Sequence, residues 1–226
     1  MTTEQQMLEA VKSGDVASVN ALLNANPSLV NAKNENGVSA ILLATYFGHR
    51  DIAEVLLAKG VELNIFEAAA AGHLNRVRLL AKEEAELIDS YSSDGFTPLS
   101  LAAFFGREDV LDLLLAHGAN PNAASKNQMR VLPIHSAVAH RQPPVALAMV
   151  ESLLLNGAEV NVAQDGGWTP LHQAAAHGQI EIMKLLLAHG AEINTRSEDG
   201  TTPLQMTQNK GYPEAAEMLQ QRGAKE

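Results

Sequence analysis

The stretch Gly167-Trp168-Thr169-Pro170-Leu171-His172-Gln173-Ala174-Ala175 decides how this chain is read. Its threonine can cap a helix with its side chain. The proline is tolerated in a first helical turn, where a missing N–H forfeits no bond. Gly178 then supplies the left-handed residue that a helix end wants. A single such start would mean little, but this one recurs. Thr202-Pro203-Leu204 repeats it 33 residues on, and Thr97-Pro98-Leu99 carries it within Asp94-Gly95-Phe96-Thr97-Pro98-Leu99.

Working outward, the period holds across the C-terminal half. Gly157, Gly190 and Gly223 are spaced by 33, as are Asn161 and Asn194. The heptapeptides at 113–119 and 185–191 are identical, Leu-Leu-Leu-Ala-His-Gly-Ala. The N-terminal half obeys an offset of 58 with no gap. Gly14 falls on Gly72, Gly37 on Gly95, Phe47 on Phe105, Gly60 on Gly118 and Asn64 on Asn122. Residues 7–64 and 65–122 therefore read as a duplicated two-repeat block. Within each unit, Leu99, Ala102 and Ala103 form one helical stripe, and Val110, Leu113 and Leu114 form a second after Gly106. Turn-rich Asp-Gly segments join the units. Fixed periods of this length mark a solenoid.

These motifs resemble the ankyrin repeat family over almost the whole chain. The resemblance implies an all-α repeat solenoid of stacked helix-turn-helix units with projecting β-hairpin fingers. Seven units are expected within one domain, 1–226. They are an N-terminal cap at 5–34, units at 35–64, 65–91, 92–124, 125–163 and 164–196, and a C-terminal cap at 197–226. Gln205, Gln208, Asn209 and Lys210, with Gln220, Gln221 and Arg222, make the last unit polar enough to face water.

Two units depart from the pattern. Gly48 and Gly72 are only 24 apart, so unit 65–91 lacks its finger and a gap is expected in the finger row. Unit 125–163 is enlarged, with Arg141 in place of the inter-helix glycine and Gln142-Pro143-Pro144 after it. The prolines are expected to stop the inner helix and stiffen a loop.

Composition narrows the function. Apolar residues are 46% of the chain and aromatics only 4%, a mix that suits helix packing by small side chains. There is no cysteine, so no disulfide or thiolate–metal framework exists. The formal net charge of −10 opposes a broad nucleic-acid interface. Met1 to Ala10 has neither a basic nor an apolar leader pattern, and no apolar run is long enough to span a membrane. A cytoplasmic monomer with no cofactor is expected.

The eight histidines are the candidates for chemistry. His135 and His172 follow Pro-Ile and Pro-Leu, where the family resemblance implies a side chain that braces neighbouring hairpins. His117 and His189 sit beside helix-ending glycines. No pair has the His-x-x-x-His spacing of a helical zinc site, and no nucleophile elbow appears. An enzyme or small-molecule or metal binder built on His135, His140 and Arg141 of the enlarged unit is the competing reading. A structural part of a larger assembly is a third.

Six of the nine aromatics (one Trp, three Tyr, five Phe) fall at repeat landmarks. Tyr46, Phe47, Phe104 and Phe105 end inner helices, turned away from the buried stripe by about 100° per residue. Phe96 and Trp168 follow finger glycines. The resemblance places such positions in a concave groove that contacts partners, and large aromatics there are candidate anchors. Packing beneath a neighbouring finger is the alternative for each, and Phe66 is assigned to the core. Glu35, Asp94 and Asp165, with Arg130 and His140, complete the candidate surface. Its acids favour a partner protein with a basic and apolar segment.

Overall fold

The computed structural model describes residues 1–225. Among them fourteen α-helices follow one another in pairs. The first four pairs are α1 (Thr3–Ser13) with α2 (Val16–Ala25), α3 (Ala40–Tyr46) with α4 (Arg50–Ala58), α5 (Ile65–Ala71) with α6 (Leu74–Glu83), and α7 (Pro98–Phe104) with α8 (Glu108–Ala116). Then come α9 (Pro133–Val138) with α10 (Pro143–Leu155), α11 (Pro170–Ala176) with α12 (Ile180–Ala188), and α13 (Pro203–Lys210) with α14 (Pro213–Gln221). The odd-numbered helices pack on one another in an inner layer, and the even-numbered helices line up behind them.

Local chemistry starts most inner helices where the sequence said. Thr97, Thr169 and Thr202 accept from the backbone N–H of the third helical residue, and prolines open the first turns. Ser39 and Asn64 cap α3 and α5 in the same way. Each cap is worth about 1 kcal/mol. The stripe of Leu99, Ala102 and Ala103 is buried, as are Val110 and Leu114 behind it. Alanines let the inner helices sit close, and the leucines and valines of the outer row fill what remains.

Between pairs the chain folds into short turns rather than long hairpins. Isolated bridges at Lys33–Ser39 and Gln164–Trp168 are the strand-like remnants. The tips at 34–38, 92–96, 125–131, 164–168 and 197–201 form a row. Backbone bonds stitch it together: Lys126 N–H to Gly95 O (2.8 Å), Asp165 N–H to Met129 O (3.0 Å) and Glu198 N–H to Gly166 O (3.0 Å). The expected gap in this row is closed. Gly37 lies against Ser93, so tips 34–38 and 92–96 meet across the fingerless unit. The reason is the missing finger itself, which leaves nothing to hold them apart.

The enlarged unit also differs from expectation. Pro143 and Pro144 stand in the first turn of α10, a 13-residue helix, rather than stiffening a loop. Proline is at home there because first-turn N–H groups have no intrahelical acceptor. α9 ends at Val138, ahead of both prolines.

A second row of contacts joins the pairs at their inter-helix turns. The residue opening an outer helix reaches back to the preceding inner helix. His49 Nε2 donates to Lys12 O (3.0 Å), Arg107 Nε to Ala70 O (2.9 Å) and Gln179 Nε2 to Val138 O (3.0 Å). The side chains of His49, Arg107, His140 and Tyr212 lie on Gly14, Gly72, Gly106 and Gly178. A Cβ at Gly106 would run into the His140 ring, which explains a glycine there beyond its φ of +66°.

Candidate functional site

Tyr46 and Phe104 end α3 and α7, two pairs apart, yet they meet. The Tyr46 ring is 5.1 Å edge-on from Phe105 and 6.4 Å from Phe104, and Phe104 and Phe105 are 5.1 Å apart at 88°. The intervening α5 has the sequence Ile-Phe-Glu-Ala-Ala-Ala-Ala, so its alanines leave space for the rings to close over it. Tyr46 also donates its hydroxyl to Asp94 Oδ2 at 2.7 Å, which ties the inner layer to a finger tip. Burial of the phenol, with the Asp94 carboxylate beside it, pushes the tyrosine well above its ordinary range. It remains a neutral donor.

This cluster is an exposed aromatic surface. Tyr46 is 36% and Phe104 47% exposed, while Phe105 packs partly against the core. Phe47 is 53% exposed but stands apart, its ring parallel to His49 at 6.3 Å. Phe96, Trp168 and Phe66 are half-buried against the core, and Trp168 lies 6.4 Å from His172. The six aromatics singled out in the sequence therefore divide into three in contact, one separately exposed and two that mainly pack.

The charged candidates lie along the finger tips. Glu35, Asp165 and Arg130 are exposed, and Asp94 is held between Tyr46 and Ser92. Sequence reasoning missed two features here. The tip at 125–131 is two residues longer than 92–96, a difference visible in the spacing, and it carries exposed Met129. Arg130 adopts φ +50°, a left-handed conformation that L side chains adopt at a cost of about 1–2 kcal/mol. Glycine holds the left-handed position in the tips at 95 and 200.

His135 and His172 brace the fingers. Each donates Nε2–H to a carbonyl one unit on, Trp168 O and Thr201 O, both at 3.0 Å. Burial pushes His135 down to about 4 and lowers His172, against the smaller opposing effect of these carbonyls. His140 lies on Gly106 instead of joining His135, and Arg141 is exposed. The three residues of the competing reading thus do not converge. Among the described residues no group of three His, Asp or Glu side chains is placed to hold a metal ion. No described helix is long and apolar enough to cross a membrane.

Known proteins resemble the chain along most of its length. A family model described as ankyrin repeats (3 copies) matches residues 65–125 and 134–226, and one described as ankyrin repeats (many copies) matches residues 7–57. The probable E3 ubiquitin-protein ligase XBOS32 of Oryza sativa subsp. japonica is 30% identical over 80% of this chain and 37% of its own length. Protein VAPYRIN-LIKE of Medicago truncatula is 27% identical over 79% of this chain and 50% of its length. The probable 26S proteasome regulatory subunit p28 of Saccharomyces cerevisiae is 25% identical over 78% of this chain and 66% of its length. The chain thus spans about a third to a half of the length of the first of these curated relatives. With the repeat motifs, the paired helices and the stitched finger row in agreement, the chain belongs to the ankyrin repeat family.

Proposed function

We propose that the chain is a non-enzymatic interaction module. It binds another protein in the angle between the finger row and the inner helices. The observation that carries this reading is the Tyr46–Phe104–Phe105 cluster, partly exposed and anchored to a finger by Asp94. Aromatic anchors beside satisfied polar groups are what binding hot spots consist of. Glu35, Asp94 and Asp165 set an acidic rim, and the partner it favours carries basic and apolar residues. Phe47, Phe96, Trp168, Arg130 and His140 belong to the wider surface, with Phe96 and Trp168 supporting it from below. The seven-unit division, a monomeric state and a cytoplasmic location complete the proposal. Relatives named as ubiquitin ligases and a proteasome regulatory subunit share this repeat architecture, which is consistent with repeats that recruit proteins.

The test begins with affinity purification and mass spectrometry to identify the partner. The double variant Tyr46→Ala, Phe104→Ala is then compared with the parent chain. Partner affinity is expected to fall at least about thirtyfold, with about 2–4 kcal/mol divided between the two anchors. The melting temperature is expected to fall modestly, because Tyr46 also ties α3 to the 92–96 tip, while the double variant stays folded. Undiminished recovery of the partner by a folded double variant would remove the cluster from the binding surface.

A further inference from the structure

The junction between α3/α4 and α5/α6 is built unlike the others. At four other glycine turns a side chain from a following unit lies on the glycine, but nothing comes within 4 Å of a Cβ placed at Gly48. His73, the residue in the right position to do so, opens α6 without covering it. Outer helices α4 and α6 make little contact, whereas α2/α4, α6/α8, α8/α10, α10/α12 and α12/α14 pack. Asn64, aligned with the clasping Asn122, caps α5 instead. These omissions share one cause. Residues 59–64 lead from α4 straight into α5, without the finger that spaces other units.

The result is a cleft of about 430 Å³ between α4 and α6. Its walls hold Arg50, His73 and Arg107 together with Glu54, Thr45 and the Gly48 turn. Arg107 arrives from the following unit, fixed through Nε to Ala70 O, with its stem against Gly72. Neither carboxylate that follows it, Glu108 or Asp109, pairs with it. Among the described residues the ion pairs are Glu9–Lys12, Arg50–Glu54 and Glu181–Lys184. The Arg50–Glu54 pair is exposed and weak, so it leaves most of the positive charge available. Arg50 and Arg107 line this one cleft, and burial, then repulsion from Arg50, lowers Arg107. The cleft thus sets two guanidinium groups and a histidine against the one carboxylate of Glu54, and Arg107 is in no ion pair among the described residues, which leaves a place for an anion from outside.

We propose that this cleft is a binding site for a phosphate group. Arg107 is the fixed, half-buried donor, Arg50 the adjustable one, and His73 and Thr45 supply further polar edges. Arginine suits phosphate because its planar fork can donate two parallel N–H bonds. None of its lining residues belongs to the aromatic cluster, although Thr45 adjoins Tyr46 in the chain.

Titration of the full ¹⁵N-labelled chain with sodium phosphate, against sodium chloride at matched ionic strength, tests this by NMR. Saturable shifts are expected at Gly48, His73 and the Arg107 side-chain Nε, with none from chloride. Arg50→Gln, at a side chain 91% exposed, should leave the fold intact and weaken phosphate about tenfold, the loss of one charge-assisted contact. Arg107→Gln should abolish saturation. A parallel titration with O-phosphoserine separates the sources. Tighter binding than phosphate marks a phosphorylated side chain, and equal or weaker binding marks a free anion; both support the site. Non-saturable shifts, or an unchanged affinity in Arg50→Gln, would overturn it.

Discussion

At the scale of single residues, His135 and His172 do the same job with different success. His172 Nδ1 receives Thr169, both hydroxyl (2.9 Å) and backbone N–H (3.2 Å). His135 has Leu132 in that place, so its buried Nδ1 has no partner and α9 has no side-chain cap. Replacing Leu132 by threonine supplies both. The cap contributes about 1 kcal/mol, and satisfying the buried acceptor about 1–2 kcal/mol. Losing buried apolar atoms costs roughly 1–1.5 kcal/mol. Urea denaturation should therefore find Leu132→Thr more stable by about 1 kcal/mol; a loss of stability would mean that Leu132 packing outweighs the hydrogen bonds. The same histidine sets a pH dependence. It must be neutral when folded, with its value lowered to about 4, whereas the unfolded chain protonates it from about 6.5 downward. The unfolded state thus binds more protons in that window. Stability is full above about 6.5 and declines as pH falls to about 4, by roughly 3 kcal/mol for a shift of this size. His135→Gln should flatten that part of the curve.

At the scale of elements, the fingers are ordered by their neighbours. Gly95 and Gly200 occupy equivalent tip positions, with φ of +85° and +82°. A Cβ at Gly95 would stand 2.9 Å from the backbone N of Asn127 in the next tip, while nothing lies within 4 Å of one at Gly200. Both alanine variants carry the left-handed penalty of about 1 kcal/mol. Only Gly95→Ala must also push apart the Lys126 N–H to Gly95 O bond, so it should cost about 2 kcal/mol more than Gly200→Ala in thermal denaturation. Equal losses would show that the finger row is looser than its stitching implies. The helices and their starts were legible in the sequence because capping threonines and alanine stripes act locally. The fate of Pro143 and Pro144 was not, because a proline pair can end one helix or begin another, and the choice depends on where α10 packs. The meeting of Tyr46 with Phe105 was also illegible. It depends on removing one finger and on the small side chains of α5, a relation between units that no single motif encodes.

For the whole molecule, stability in a repeat array is approximately a sum of unit and interface contributions, so a weak interface divides the stack. The interface after α4 is the weak one. Among the described residues no hydrogen bond joins 34–58 to 65–90, and the side-chain hydrogen bond across the missing finger is Tyr46 to Asp94, beside the ring contacts of Tyr46 with Phe104 and Phe105. Interfaces nearer the C-terminus have several. Asn122 clasps Gly157 O and the Glu159 N–H, Asn161 clasps Gly190 O and the Glu192 N–H, and His135 and His172 brace the tips. Hence α1 to α4 should open together, ahead of the rest, as one cooperative unit. Native-state hydrogen exchange would show a shared, lower opening free energy for amides in α1–α4 and an abrupt rise beyond residues 59–64. Simple end fraying predicts something different, with protection rising gradually and alike from both termini. The Tyr46→Phe variant decides between them. Removing the hydroxyl that reaches Asp94 should lower the opening free energy of α1–α4 by about 1 kcal/mol and leave α9–α12 unchanged. If fraying governs the N-terminal half, α1 and α2 should not respond to a change made at the end of α3.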